Sequence, residues 1–187
     1  MDPLLTALNK IGVLPPTLQA LFVGAWQSWQ VPKDHFLLRE QGVCDYIFFI
    51  RKGAARIYYH KKGKEITEWF AMDEEFCFSI VSFFERQPSR LIIQALEPSE
   101  VMGIHYNDLN RLAAAHHEIE TLYRKMLATS LILSQHRMDA IQFETAQQRY
   151  ESLLRNYPQL VQRVPLTYIA SFLGITLETL SRIRSSN

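Results

Sequence analysis

Glycine and proline are distributed unevenly along the 187 residues of this chain, and this distribution constrains the fold more than any other feature. Residues 104–157 contain neither, whereas six of the seven glycines lie before residue 104 and the last is Gly174. A segment of this length without either residue is expected to be largely helical, because Gly and Pro are the residues that end helices. The sequence therefore predicts helices in the second half of the chain and a different structure in the first half.

The first half contains short runs rich in Ile, Phe, Tyr and Val, with Gly or Pro between them. Runs of this kind, separated by turn residues, are typical of antiparallel strands. Ahead of them, Pro15 and Pro16 introduce a predicted helix that extends to residue 29. We therefore expect an α+β protein in which an antiparallel roll, barrel or sandwich is followed by helices. The predicted strands cover residues 35–39, 46–51, 54–60, 64–70, 91–95 and 100–105.

Composition and charge exclude several classes of protein. The chain has 20 Lys plus Arg and 19 Asp plus Glu, a formal net charge of +1, so any nucleic-acid function must come from a local patch. Its two cysteines, Cys44 and Cys77, are too few for a disulfide framework, a four-Cys zinc site or a cysteine-held iron–sulfur cluster. We expect both to be buried, reduced thiols, and we expect the protein to hold no metal and no cofactor.

Two features bear on the location of the protein. The N-terminus has an early acidic residue, Asp2, and no basic segment leading into an apolar run, so it does not resemble a signal peptide. No stretch approaches the roughly 18 consecutive apolar residues that a membrane span requires. The expectation is a cytoplasmic protein without a membrane partner.

One apolar series in the helical half has the spacing of a coiled-coil seam, with alternating intervals of three and four residues. A second apolar series lies to one side of the first. A helix with two apolar stripes can pack on its own domain with one and on a twin helix with the other, so we expect a homodimer. The alternative is that the whole stripe is intramolecular core. The predicted dimer interface is Ile119, Leu122, Met126, Thr129, Leu133, His136 and Ala140, and the second series is Leu127, Leu131, Met138 and Ile141.

The segment Thr-Ala-Gln-Gln at residues 145–148 has the pattern of a capping box. The long helix is therefore predicted to end near Phe143, where a new helix starts. This break divides the chain into two predicted domains, residues 1–142 with the roll and the long helix, and residues 143–187.

The segment after Pro165 has the pattern of a helix-turn-helix. Ala170 is small where two helices must cross closely, and Gly174 supplies the positive φ that the turn requires. Thr176 can cap the second helix through its hydroxyl. A helix that reads the major groove needs outward polar groups, because Arg can bind guanine through two hydrogen bonds and Glu can accept one from cytosine. The predicted DNA-binding residues are Thr176, Leu177, Glu178, Ser181, Arg182 and Arg184.

This order of roll, long helix and helix-turn-helix resembles the CRP/FNR family of bacterial transcription regulators over nearly the whole chain. The strand–Gly–strand run from Tyr46 through Gly53 is similar to the cyclic-nucleotide-binding-like β-roll of that family. Residues 169–184 give the most specific match, since the second helix of the family typically reads Arg-Glu-Thr followed three residues later by Arg. Glu178, Thr179 and Arg182 match this pattern.

Leu177 stands where the first Arg of the family pattern would be. The resemblance thus implies base contacts by Glu178 and Arg182, together with an altered operator sequence. It also implies a homodimer that binds double-stranded DNA, RNA polymerase as a further partner, and an unknown small-molecule effector. The sequence ends three residues after Arg184, so we expect no β-hairpin wing.

The family's cyclic-nucleotide site reads Gly-Glu-Leu and, further on, Arg-Ser-Ala. Here Cys77 and Phe78 occupy the Gly-Glu positions, Ser89 stands where the phosphate-binding Arg belongs, and Arg90 is one residue out of register. Ser134 lies near the position from which the family presents a hydroxyl to the base. We therefore expect these residues to line the ligand site, and we expect that the roll does not bind cyclic AMP in the usual manner.

The leading interpretation is a homodimeric DNA-binding transcription regulator. The alternative is a small-molecule sensor or interaction module whose helix-turn-helix does not bind DNA specifically. An enzyme is the weakest interpretation, because the sequence contains no nucleophile–base set, metal-ligand run or phosphate loop.

Overall fold

The computed structural model describes residues 2–185. Its strands are β1 (Trp26–Val31), β2 (Phe36–Leu38), β3 (Tyr46–Lys52), β4 (Ala55–Lys61), β5 (Lys64–Ala71), β6 (Glu75–Cys77), β7 (Ile92–Ala95) and β8 (Ser99–His105). Its helices are α1 (Pro3–Ile11), α2 (Pro16–Gly24), α3 (Ile80–Glu85), α4 (Tyr106–Ala115), α5 (His117–Phe143), α6 (Ala146–Asn156), α7 (Leu160–Arg163), α8 (Leu166–Leu173) and α9 (Leu177–Ser185). The strands therefore precede the long helix, as the distribution of Gly and Pro predicts.

The strands form an antiparallel roll of two sheets. One sheet has the strand order β1-β8-β3-β6 and the other has the order β2-β7-β4-β5. Gly53, between β3 and β4, has a φ of 123°, and a Cβ at this position would lie 2.1 Å from Oγ of Ser99. Only glycine fits there, because both the backbone angle and the space exclude a side chain. The predicted α+β class with an antiparallel roll and a long helix is confirmed.

The six predicted strands all form, and their ends differ from the prediction by at most one residue. The predicted helix over residues 17–29 is wrong in its second part, because α2 ends at Gly24 and the next residues form β1. In β1, Trp26 pairs with Ile104 of β8. Pairing with β8 thus determines the structure of this segment and outweighs its local helical pattern.

The main apolar core fills the roll and continues under the first half of α5. Ile119, Leu122 and Met126 belong to this core, with exposed fractions of 0%, 2% and 7%. A second copy of the chain cannot reach side chains that are buried to this extent. The prediction that these three residues form a dimer interface is therefore wrong: they hold α5 on the roll of their own chain.

A second apolar cluster lies between the C-terminal helices, α6 to α9, and the roll. This cluster combines Leu173 and Leu180 with Phe70 and Met72 of the roll region. The capping box at Thr145 is confirmed, since its hydroxyl accepts from the N–H of Gln148 and the Gln148 side chain accepts from the N–H of Thr145. Across residues 2–185, no helix has the length and apolar character needed to cross a membrane.

Candidate functional site

The candidate site is the pair of short helices α8 and α9 with the turn between them. Gly174 ends α8 with a φ of 70°, which is the left-handed conformation that its position predicts. The hydroxyl of Thr176 accepts from the N–H of Thr179 at 3.2 Å and caps α9 as expected. Ala170 and Leu180 are buried, with exposed fractions of 2% and 0%, so the two helices pack closely.

The six residues predicted to contact DNA are all exposed: Thr176, Leu177, Glu178, Ser181, Arg182 and Arg184. The Nη2 of Arg182 lies 3.3 Å from the hydroxyl of Thr179, one turn earlier. Backbone and Thr176 hydrogen bonds and the nearby charge of Arg182 lower the pKa of the Glu178 carboxyl, so it is ionised at neutral pH. The surface therefore presents an acid and guanidinium groups to solvent.

The turn between α8 and α9 is held by two arginines from outside this pair. Arg137 of α5 donates to the carbonyl oxygen of Phe172 at 2.8 Å, and its guanidinium lies 3.8 Å from the centre of the Phe172 ring. Arg149 of α6 donates to the carbonyl oxygen of Leu173 at 3.0 Å. Burial lowers the pKa of Arg137 to about 10, which still leaves it charged at neutral pH. Cations at these carbonyls also suit the negative end of the α8 dipole.

A three-residue ion network joins the C-terminal helices to the turns of the roll. The guanidinium of Arg163 binds the carboxylates of Asp73 and Glu97. Asp73 also accepts from the N–H of Gly53 at 2.7 Å. Partial burial raises the pKa of Asp73, but the hydrogen bonds from Arg163 and Gly53 outweigh it and lower the pKa below its ordinary value.

A second contact lies between α8 and the sheet. Arg56 of β4 is only 1% exposed, and its guanidinium lies 3.6 Å from the centre of the Tyr168 ring. The same guanidinium binds Glu65 at 2.6 Å and Thr67 at 2.9 Å, so its charge is paired. Ser171 accepts from the N–H of Thr67 at 2.9 Å. Together with the Arg163 network, these contacts form what we call the docking contact.

Sequence reasoning missed the docking contact. Its one visible signal is Arg56, a charged residue at the centre of an apolar strand, because such a residue is rarely buried without a partner. Arg163 gives no comparable signal, since its partners Asp73 and Glu97 are distant in the sequence.

The second half of α5 presents an unpaired apolar surface. Thr129, Leu133 and His136 of the predicted dimer interface are exposed, and Ala140 is half-buried. The most exposed apolar residues, however, belong largely to the second series beside it. They are Leu131, Ile132, Met138, Ile141 and Phe143, with exposed fractions from 48% to 80%. Several large apolar side chains exposed on one helix are typical of an interaction site.

The five residues predicted to line a cyclic-nucleotide site lie in different surroundings. Ser89 is 3% exposed, and its hydroxyl lies within 3.0 Å of Ser79 and Leu91. Arg90 is exposed, 5.7 Å from the Tyr59 ring, and Ser134 is exposed on α5. Phe78 packs against the rings of Phe83 and Phe84. No charged group among the described partners of Ser89 is available to bind a phosphate.

Cys77 and Cys44 are both buried, unpaired thiols, as the sequence predicts. Burial raises the pKa of Cys44 to about 11 and raises that of Cys77 further above its ordinary value. Both thiols are therefore protonated and unreactive at neutral pH. Within residues 2–185, no group of three His, Cys, Asp or Glu side chains is placed to hold a metal ion.

Residues 28–116 match the family model of the cyclic nucleotide-binding domain. No curated protein sequence matches the chain at a significant level. Similar solved structures include FixK2 from Bradyrhizobium japonicum, which is 20% identical, with a TM-score of 0.72 and coverage of 86% of this chain and 83% of that one.

Two further structures extend the comparison. A protein from Eubacterium rectale assigned to the CRP/FNR family of transcriptional regulators is 17% identical, with a TM-score of 0.70 and coverage of 91% and 82%. The catabolite activator protein of Thermus thermophilus is 19% identical, with a TM-score of 0.60 and coverage of 96% and 85%. Residues 28–116 are thus similar to the cyclic nucleotide-binding domain, and the chain shares its fold with these solved structures.

Proposed function

We propose that the protein is a homodimeric, DNA-binding transcription regulator in which α8 and α9 form the helix-turn-helix. The observation that carries this proposal is the exposed surface of α9. Glu178 and Arg182 lie one turn apart there, on a helix whose other side is buried at Leu180. This is the arrangement by which a second helix enters the major groove with its polar side chains toward the bases.

The docking contact and the two arginines at the end of α8 support the proposal, because a helix that reads bases must be held rigidly by its scaffold. Arg137 and Arg149 fix the carbonyl oxygens at the end of α8, and Arg163 fixes the segment before it. In this proposal residues 1–142 are the sensing part and residues 143–187 are the DNA-binding part, and the apolar cluster that contains Phe70, Met72, Leu173 and Leu180 joins the two parts.

Homodimerisation is proposed through the second half of α5. Two copies double the number of groups that contact phosphate, which matters because residues 165–185 contain only two arginines and one glutamate. The apolar surface around Leu131 and Ile141 lies on the helix that leads directly into the C-terminal helices. We propose a parallel arrangement of the two α5 helices, which would place both copies of α9 on the same side of the dimer.

We also propose that the roll does not bind cyclic AMP in the usual manner. Ser89 is buried and engaged with Ser79, and the backbone of this segment bonds to Gln41 and Gly42. Isothermal titration with cyclic AMP is expected to show no micromolar binding, and micromolar binding would contradict this part of the proposal.

The test is a binding titration of the full chain with duplexes from its own upstream region and with random duplexes of equal length. We expect the logarithm of the affinity to fall linearly with the logarithm of the salt concentration, with a slope that corresponds to several phosphates. Arg182→Ala is expected to weaken specific binding by roughly ten- to a hundred-fold, because one side chain with two bonds to a base contributes about 1–3 kcal/mol.

Arg111→Ala is the matched control, since Arg111 is exposed on α4, where it pairs with Asp108. It should leave the affinity unchanged. If both duplexes bind equally weakly and Arg182→Ala has no effect, the protein is instead a sensor or interaction module that does not read DNA.

A further inference from the structure

A cavity of about 220 Å³ lies where α1, the roll and α5 meet. Its walls include the aromatic side chains of Trp69, Phe76, Phe78 and Tyr157. The cavity is smaller than the pockets that hold drug-sized ligands, so its volume suits a small molecule.

The charged side chains at the cavity are not balanced. Glu74 pairs with Lys10 at 3.9 Å, and both line the cavity. Glu75 also lines it, and its Oε2 accepts from the N–H of Met72 at 2.9 Å. Among residues 2–185, no Lys, Arg or His lies within 4.0 Å of the Glu75 carboxylate. The lining therefore carries one unbalanced negative charge beside aromatic rings.

A carboxylate without a basic partner beside aromatic rings favours one class of ligand. A cation near aromatic faces is attracted by their quadrupoles, and a carboxylate that lacks a partner gains a charge-assisted hydrogen bond from an ammonium group. An anion would be repelled by Glu75, and a neutral molecule would leave its charge unbalanced. We propose that the cavity binds a small organic cation, an ammonium group attached to an apolar or aromatic body.

Glu75 is the recognition residue in this proposal, and the aromatic side chains hold the apolar body. Burial raises the pKa of Glu75. Burial and, to a smaller extent, the charge of Glu75 raise the pKa of Tyr157. Both side chains line the cavity. A bound cation would reverse the first effect, because it favours the ionised carboxylate.

Tyr157 connects the cavity to the C-terminal helices, because it lines the cavity and lies directly after α6 and before α7. A ligand against Tyr157 would contact the segment that carries Arg163 and leads to α8. The role of the cavity as an effector site rests on the proposed function, whereas ligand binding itself does not. Binding is therefore measured without DNA, so that the two proposals fail separately.

The experiment uses three probes of the same size and different charge: phenethylamine, 2-phenylethanol and phenylacetate. Isothermal titration of the full chain at neutral pH is expected to show that phenethylamine binds at least about ten-fold more tightly than 2-phenylethanol, which corresponds to one charge-assisted contact. Phenylacetate should bind most weakly. Glu75→Gln keeps an acceptor for the Met72 N–H and should remove the preference for the amine.

Glu118→Gln is the control, since Glu118 is exposed at the start of α5, away from the cavity lining. It should bind all three probes as the wild type does. Urea unfolding of each variant verifies that it is folded. Equal binding of the amine and the alcohol, tighter binding of phenylacetate, or no saturable binding of any probe at millimolar concentration overturns the proposal. The comparison of the three probes on the wild type tests the proposal even if Glu75→Gln does not fold.

Discussion

The two halves of α5 have similar apolar content and different environments. In the first half, Ile119 and Leu122 are buried against the roll. In the second half, Leu131 and Ile141 are 69% and 52% exposed. Apolar residues nevertheless recur at a similar helical spacing in both halves. The apolar residues of α5 are thus buried in the first half and exposed in the second, because the roll covers only the first half.

This difference shows what periodicity can and cannot establish. A repeat of three and four residues fixes which side chains share one side of a helix, but it carries no information about what lies opposite. The interpretation that α5 carries two apolar stripes agrees with the structure. The assignment of the first stripe to a partner helix fails at Ile119, Leu122 and Met126, where the roll occupies the place of that partner.

The largest expected effect concerns the buried half. Leu122→Ala should lower the free energy of unfolding by about 2–5 kcal/mol, because it leaves a cavity in a closely packed core. Urea unfolding followed by circular dichroism measures this change. Leu131→Ala makes the same chemical change in the exposed half and should alter stability only as far as a dimer contributes, so its effect should depend on protein concentration. Equal, concentration-independent losses would contradict the distinction between the two halves.

The next effect concerns association through the exposed half. Replacing Leu131 and Ile141 together by Glu should weaken dimerisation by roughly a hundred-fold, because charges would be buried without partners between two copies. Sedimentation velocity at micromolar concentration should show a dimer for the wild type and a monomer for this variant.

Lys125→Glu places an acid on the exposed side of the first half of α5 and serves as the control for the dimerisation variant. It should remain dimeric. A wild-type protein that sediments as a monomer at this concentration would contradict the proposed dimer.

Six of the eight strands in the described residues, all except β1 and β6, and the turn residues could be predicted from the sequence because their signals are local. Gly174 and Thr176 define the turn and the cap through their own backbone and side-chain chemistry. Strand β1 could not be predicted, since its structure depends on pairing with β8, which lies far along the chain. The same holds for Arg163, whose two carboxylate partners come from distant turns.

The cavity shows the same limit. The three acids at residues 73–75 stand together in the sequence, but the fold gives each a different partner. Asp73 binds Arg163, Glu74 pairs with Lys10, and Glu75 faces the cavity without a basic partner among the described residues. Three adjacent acids would repel one another if they shared one surface, whereas the structure separates them into a docking contact and a candidate ligand site.

A smaller effect is expected at Arg137, which links the second half of α5 to the end of α8. Arg137→Met keeps much of the apolar stem but removes the bond to the Phe172 carbonyl and the contact with its ring. We expect a loss of about 1–3 kcal/mol, the range for a buried hydrogen bond from a charged group. Hydrogen exchange should become faster in α8 and α9 and stay unchanged in the roll.

Arg124→Met is the matched control, because Arg124 is exposed in the first half of α5 and contacts only Glu120 among the described salt bridges. It should leave exchange in α8 and α9 as it is in the wild type. If both variants behave alike, Arg137 does not anchor the turn.

The smallest effect is a pH dependence of the docking contact, since apolar packing in the first half of α5 does not titrate. The folded state holds the pKa of Asp73 below that of the unfolded chain, so the unfolded chain takes up a proton first as the pH falls. The stabilisation by Asp73 is therefore fully present at neutral pH and is lost as the pH falls from about 4 through the folded pKa. Because the carboxylate is partly exposed, the loss should stay below about 1 kcal/mol.

Urea midpoints of the wild type should decline more steeply over this range than those of Asp73→Asn, which cannot titrate at this position. Asp108→Asn, at an exposed carboxylate on α4, should keep the wild-type slope; an identical slope in Asp73→Asn would show that the Arg163 contact contributes nothing to the acid sensitivity.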